Sequence, residues 1–160
     1  MKDVQQLARL LVERNWMLAT AESCTGVLIA AACTDLAGSS RWFERGFVTY
    51  SNEAKAESLG VDAALIASAG AVSEVVARAM AFGAVRHSHA KVSVAVTGVA
   101  GPTGGSTDKP VGTVWFGFMI DGRLDSETLR FAGDRGSIRL ATVAHALQGL
   151  IDRSAATPAT

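Results

Sequence analysis

Ser23 follows a short apolar run and precedes an alanine-rich stretch without proline, so the pattern predicts a helix over residues 23–36 that begins at this serine and ends at Gly38. A serine in a first helical turn sits among unpaired backbone N–H groups at the positive end of the helix dipole, where a forming oxyanion is favoured. The commoner use of such a serine is to cap the helix. It becomes a nucleophile only where a base takes its proton, and the three histidines do not suggest one: His87 and His89 fall between elements and His145 on the last helix. Lys55, five residues beyond the only tyrosine, Tyr50, can serve if burial keeps its amine neutral; left in water it is an ordinary charged lysine. The Tyr50 hydroxyl can relay a proton between serine and lysine or satisfy a polar neighbour. Cys24 is a rival nucleophile beside Ser23, but with no assignable histidine it reads as a small packed residue.

A second group of residues suits a ligand. The run Thr97-Gly98-Val99-Ala100-Gly101-Pro102-Thr103-Gly104-Gly105 can bring backbone N–H groups close to a phosphate or carbonyl oxygen. It has neither the Gly-Lys-Ser/Thr ending of an ATP-binding loop nor the glycine spacing of a dinucleotide fold. Arg135 and Arg139, four apart, can clamp a phosphate or pair with Asp134. His87 and His89 would hold zinc only with a converging third ligand, and no metal-binding motif accompanies them, so no metal site is expected.

These residues need a scaffold, and the rest of the chain predicts one. Residues 3–14 carry apolar side chains at helical spacing with Asp3 placed to cap, and 16–21 is a short buried strand. A strand over 42–50 leads to a helix capped by Ser51-Asn52-Glu53 and ending at Gly60. A short helix over 62–68 precedes a longer one from Ser73 to Arg86, with Val75, Val76, Ala79, Met80 and Gly83 facing inward. Residues 92–97 form a strand entering the glycine loop. Strands over 111–120 and 124–131 flank Asp121-Gly122, a strong hairpin signal. A closing helix over 137–151 turns Leu140, Val143, Ala144, Leu147 and Leu150 inward. The expectation is a single three-layer α/β/α domain over residues 1–153, with a mixed sheet that includes a C-terminal hairpin, and a flexible polar tail over 154–160. In such sheets ligands sit at the carboxyl ends of strands, where Ser23, Tyr50 and the glycine loop all fall.

Composition narrows the function further. The 160 residues carry 15 basic and 15 acidic groups, and neither half is basic, which excludes a protein that tracks a nucleic-acid backbone. Charges interrupt the N-terminus, and glycines and a proline break the longest uncharged run, so neither export nor a membrane span is expected; the chain reads as cytoplasmic. Two cysteines nine residues apart on one helix would be separated by about 13.5 Å of rise, too far for a disulfide. With 28 alanines and 16 glycines, close backbone packing is expected, and close contacts in a homo-oligomer are plausible.

Four motifs in order, Ala21-Glu22-Ser23-Cys24-Thr25-Gly26, Val48-Thr49-Tyr50-Ser51-Asn52-Glu53-Ala54-Lys55, Thr97-Gly98-Val99-Ala100-Gly101-Pro102 and Lys109-Pro110-Val111-Gly112-Thr113-Val114, together resemble the CinA C-terminal domain family of nicotinamide-nucleotide amidohydrolases. The resemblance runs from about residue 3 to 150. It implies hydrolysis of the carboxamide of nicotinamide mononucleotide to nicotinic acid mononucleotide and ammonia, without metal or organic cofactor, in the form that lacks the longer members' N-terminal domain. By motif position Ser23 matches the nucleophile and Tyr50 and Lys55 its supporting pair. Val27 stands where the family usually has a second glycine, and it would crowd the approach to the helix start.

Thr25, Gly26, Thr97, Gly98, Gly101, Gly104, Gly105 and Arg135 are the expected substrate-binding residues. The mechanism expected is acyl transfer through Ser23, with backbone donors near Thr25 and Gly26 holding the oxyanion. The alternative is a non-catalytic nucleotide-binding module in which the loop and Arg135 grip a phosphate while Ser23 only caps its helix. A metal-dependent hydrolase would be inactivated by chelation.

Overall fold

The computed structural model describes residues 1–158. Helix α1 (Lys2–Arg14) buries Val4, Leu7 and Leu11, three and four apart, and closes at Asn15, whose left-handed backbone returns its N–H to the carbonyls of Leu11 and Val12. Asp3 lies in its first turn but does not cap it, because the helix starts one residue earlier than expected, at Lys2 after Met1. Strand β1 (Leu18–Glu22) is buried throughout.

The expected helix over 23–36 is shorter: α2 runs Leu28–Thr34, and Gly38 instead precedes a 3-10 turn at Ser39–Arg41. Strand β2 (Phe43–Val48) leads into α3 (Asn52–Leu59), where Ser51 Oγ accepts the Ala54 N–H and Gly60 closes the helix. Asp62 caps α4 (Ala63–Ala69) and Ser73 caps α5 (Glu74–Arg86). Val75, expected on the inner face of α5, is exposed; Val76, Ala77, Met80 and Ala81 are buried instead. Strand β3 (Val92–Gly98) is followed by the glycine loop, β4 (Thr113–Ile120) and β5 (Arg123–Arg130). Asp121 and Gly122, both at positive φ, make the tight hairpin turn that matches strand twist.

Helix α6 (Arg135–Ala156) outruns its expected end at 151, and Ser154, expected to open the tail, is buried on it. Residues 159 and 160 of that tail lie outside the described residues. Leu140 and Ala144, expected inside, are exposed; Ile138, Val143, Leu147, Leu150 and Ile151 carry the inner face.

The strands make one sheet in the order β2-β1-β3-β4-β5, with β1 parallel to both neighbours and β4 and β5 antiparallel. Two apolar cores cover it. Residues of α1, α2 and α6 pack on one face around Trp42, Phe116 and Phe118, and residues of α3, α4 and α5 pack on the other around Met80 and Leu59. The expected three-layer arrangement results. Register places the site: Glu22 pairs with Val48 on one side and Val96 on the other. Ser23, Thr49 and Thr97 therefore stand side by side at the carboxyl ends of three parallel strands, the first two just past β1 and β2 and the third still within β3.

Candidate active site

Lys55 Nζ lies 3.0 Å from Ser23 Oγ and 2.8 Å from the Thr49 carbonyl, with the carbonyls of Tyr50 and Ser51 at 3.5 Å. Local sequence explains the reach. The Ser51 cap starts α3 one turn before Lys55, and the chain leaving β2 wraps its carbonyls around the amine. Lys55 is 1% exposed, and among the described residues no carboxylate pairs with it. Burial pushes its pKa below the ordinary lysine value, a pull opposed only by the Cys24 thiol in its ionised form. A buried amine with a lowered pKa touching a hydroxyl has the geometry that a general base needs toward a serine nucleophile.

Ser23 does not open α2. Residues 23–27 form a separate turn, and the first N–H groups of α2 are capped by Glu22: Oε1 accepts from Ile29 N at 2.7 Å and Oε2 from Ala30 N at 3.0 Å. Thr25 Oγ1 also donates to Glu22 Oε1, at 2.7 Å. The helix end expected to assist Ser23 is thus already occupied by a carboxylate, and the capping role assigned to Ser23 belongs to Glu22. Glu22 is buried at the end of β1, and desolvation raises its pKa against the lowering effect of these bonds.

The donors left beside Ser23 come from the turn itself. Gly26, at φ +64, returns its N–H to the Ser23 carbonyl at 3.0 Å, a backbone conformation that suits glycine. Gly26 N–H is therefore spent, but the N–H groups of Cys24 and Thr25 have no acceptor among the described residues. Two successive free N–H groups beside the Ser23 hydroxyl are available to an anion.

A cavity of about 310 Å³ opens over this pair, lined by Ser23, Cys24, Tyr50, Asn52, Lys55, Thr97, Arg135 and the loop from Gly98 to Gly101 with Thr103 and Gly104. Of the expected binding residues, Thr97, Gly98, Gly101, Gly104 and Arg135 reach it. Thr25 and Gly26 do not line it: the Thr25 hydroxyl turns to Glu22, and Gly26 lies behind the nucleophile turn. Gly105 is also outside the lining, packed against Val111. Thr97 Oγ1 donates to the Ala71 carbonyl at 2.9 Å, so its hydroxyl ties α5's approach to the loop.

Tyr50 forms a wall of the cavity and not a bridge. Its hydroxyl, 59% of the residue being exposed, accepts from Arg135 Nη2 at 3.1 Å, while Arg135 Nη1 donates to the Gly101 carbonyl at 2.7 Å. Ser23 and Lys55 meet without a phenol between them. Cys24 lines the cavity, but burial pushes its thiol up to about 11, so it stays protonated near neutral pH. Val27 is half exposed and absent from the lining, so it does not crowd the site. His87 Nδ1 lies 2.8 Å from the Gly83 carbonyl, and among the described residues no group of three metal-ligating side chains converges.

Two contributors were not expected from the sequence as site residues, Glu22 and Asn52; Arg139, expected to clamp a phosphate or pair with Asp134, instead donates to the Cys24 and Thr25 carbonyls. The signal for Glu22 is an acid closing an otherwise uncharged strand.

A family model described as the CinA C-terminal domain matches residues 2–154. A protein of Enterobacter agglomerans named nicotinamide-nucleotide amidohydrolase PncC is 52% identical over 144 residues, covering 89% of this chain and 88% of that one. Its namesake in Escherichia coli strain K12 is 51% identical over 148 residues, 91% and 89% of the two chains. The crystal structure of competence damage-inducible protein A from Klebsiella pneumoniae superposes with a TM-score of 0.94 at 38% identity, covering 98% of each chain.

Proposed function

The chain belongs to the CinA C-terminal domain family, and we propose that it hydrolyses the carboxamide of nicotinamide mononucleotide to nicotinic acid mononucleotide and ammonia. The observation that carries this reading is the contact of 3.0 Å between the buried Lys55 amine and Ser23 Oγ at a cavity of about 310 Å³, within the range of small-molecule sites.

Neutral Lys55 accepts the Ser23 proton as Oγ attacks the carboxamide carbon. The carbonyl oxygen, now negative, takes a hydrogen bond from the free N–H of Cys24, the turn residue that lines the cavity, with the free N–H of Thr25 next to it in the turn. The Lys55 ammonium returns the proton to the amide nitrogen, the C–N bond breaks and ammonia leaves. Water then attacks the Ser23 ester, Lys55 takes its proton, and the acid is released with Ser23 restored. Arg135, fixed between the Gly101 carbonyl and the Tyr50 hydroxyl, offers its charge to the phosphate. Tyr50 contributes by orienting that guanidinium.

The non-catalytic alternative needs Ser23 as a helix cap, a role that Glu22 holds. The test is incubation of the pure protein with nicotinamide mononucleotide, assaying ammonia and nicotinic acid mononucleotide together. Equal release of both is expected; binding without release across pH 6 to 9 contradicts the reading and favours the module.

A further inference from the structure

Arg139 of α6 reaches the back of the nucleophile turn, more than a hundred residues away in sequence. Its Nε donates to the Cys24 carbonyl at 3.0 Å and its Nη2 to the Thr25 carbonyl at 3.1 Å. We propose that Arg139 is a positioning residue: by tying back the Cys24 and Thr25 carbonyls it keeps the Thr25 N–H, on the Cys24 carbonyl's own peptide unit, free and fixes the turn in which the free Cys24 N–H stands beside Ser23 for the oxyanion, a claim that rests on Ser23 being the nucleophile.

The geometry follows from the peptide unit. In a trans peptide the C=O and the following N–H point in opposite directions, and the units on either side of Cys24 are trans. The Ser23 carbonyl accepts from Gly26 N–H, so the Cys24 N–H points away from that bond. The Cys24 carbonyl accepts from Arg139, so the Thr25 N–H points away from the guanidinium. Two consecutive carbonyls are thus engaged on one side of the turn while their two N–H groups remain unbonded on the other. The first carbonyl is held within the turn; the second has only Arg139.

A charged donor also strengthens the arrangement. A guanidinium on a carbonyl polarises the whole peptide unit and makes its N–H a better donor. From the sheet side, Glu22 fixes Thr25 Oγ1 and the start of α2, so the turn is gripped by an acid on one side and a base on the other. The two charges face one another across it: Arg139 helps hold the Glu22 carboxyl in its ionised form. Arg139 itself does not line the cavity, so it acts through the turn and not on substrate.

The test compares wild type, Arg139→Met, which keeps most of the side-chain stem, and Arg139→Lys, which keeps the charge. Three measurements are made on each: melting temperature, kcat and KM for ammonia release from nicotinamide mononucleotide, and the rate at which a fluorophosphonate labels Ser23, followed by intact mass. The methionine variant is expected to lose about 100-fold in kcat, the scale of a lost oxyanion donor, with KM within about threefold. Labelling should slow in parallel, because the phosphonyl oxygen needs the same donors. The lysine variant should fall between, and added guanidinium ion should restore part of the methionine variant's kcat. Turnover and labelling within about twofold of wild type would overturn the proposal, as would a loss fully explained by a smaller folded fraction. If wild type labels at Ser23 but releases no ammonia, the reading of the substrate fails and the labelling rates alone decide on Arg139. A wild type that does neither overturns both.

Discussion

Lys55 reaches Ser23 from the opposite side of the β1–β2 boundary, its Nζ held 2.8 Å from the Thr49 carbonyl and 3.0 Å from the serine hydroxyl. The amine is packed among neutral oxygen acceptors, and burial is the largest influence lowering its pKa. Two consequences concern pH. Catalysis needs the neutral amine, so kcat should rise with pH through a single limb whose midpoint lies below the ordinary lysine value of 10.5. A flat profile from pH 6 to 10 in the wild type would contradict this assignment.

Stability carries the second consequence. Because the folded-state pKa of Lys55 is depressed, the unfolded chain binds more protons at pH values between that pKa and 10.5, so this residue makes stability rise with pH across the window. Lys55→Met should abolish turnover and also flatten that rise, read as the melting temperature from pH 7 to 10. A slope that persists unchanged in the variant would show that Lys55 is not the group responsible.

Cys24 sits beside Ser23 with its thiol pushed up to about 11. A thiol that remains protonated is a weak nucleophile. Cys24→Ala keeps the backbone N–H and should retain kcat within about tenfold, the scale of a small cavity beside the site. Loss comparable to that of Ser23→Ala would move the nucleophile to sulfur.

Much of this site was legible in the chain, and what was not has a physical cause. Ser51 capping α3 and the Asp121-Gly122 turn are local features, set by residues within three or four positions, and both formed as expected. The start of α2 was misread because its cap comes from Glu22, seven residues before the N–H it accepts, through a contact that only the tertiary turn creates. Val75 and Leu140 were placed inside by apolar type. In helices this rich in alanine, several faces fit the period, and close approach of α5 to the sheet selected Ala77 and Ala81 over larger neighbours. Tyr50 was expected between Ser23 and Lys55, but its partner Arg135 lies 85 positions away, a separation that no spacing rule spans.

Arg135 tests the ligand side. Arg135→Ala removes a charge-assisted contact of about 1.5–3 kcal/mol, which corresponds to about a 10- to 150-fold rise in KM for the mononucleotide. The same variant should lose its preference for nicotinamide mononucleotide over nicotinamide riboside, which has no phosphate to hold. Tyr50→Phe should act in the same direction but more weakly, since Arg135 keeps the Gly101 carbonyl. A preference that survives Arg135→Ala would place the phosphate elsewhere.

Glu22 is the structural support of the turn. In Glu22→Gln one oxygen still accepts from Thr25 and Ile29, but the amide nitrogen meets the Ala30 N–H, donor against donor. The loss should be about 1–3 kcal/mol in chemical denaturation, the range for a buried donor left unpaired. A variant as stable as wild type would mean that the α2 cap contributes little.

The covalent step is the most direct point of attack. Nicotinamide mononucleotide is mixed with the wild type, the reaction is quenched within a single turnover, and the peptides are mapped by mass. A nicotinic acid mononucleotide acyl group should appear on Ser23, and Ser23→Ala should neither form it nor release ammonia. Sustained ammonia release by Ser23→Ala, or wild-type turnover without an adduct at any quench time and with the mass on another residue, would contradict a serine ester at this site.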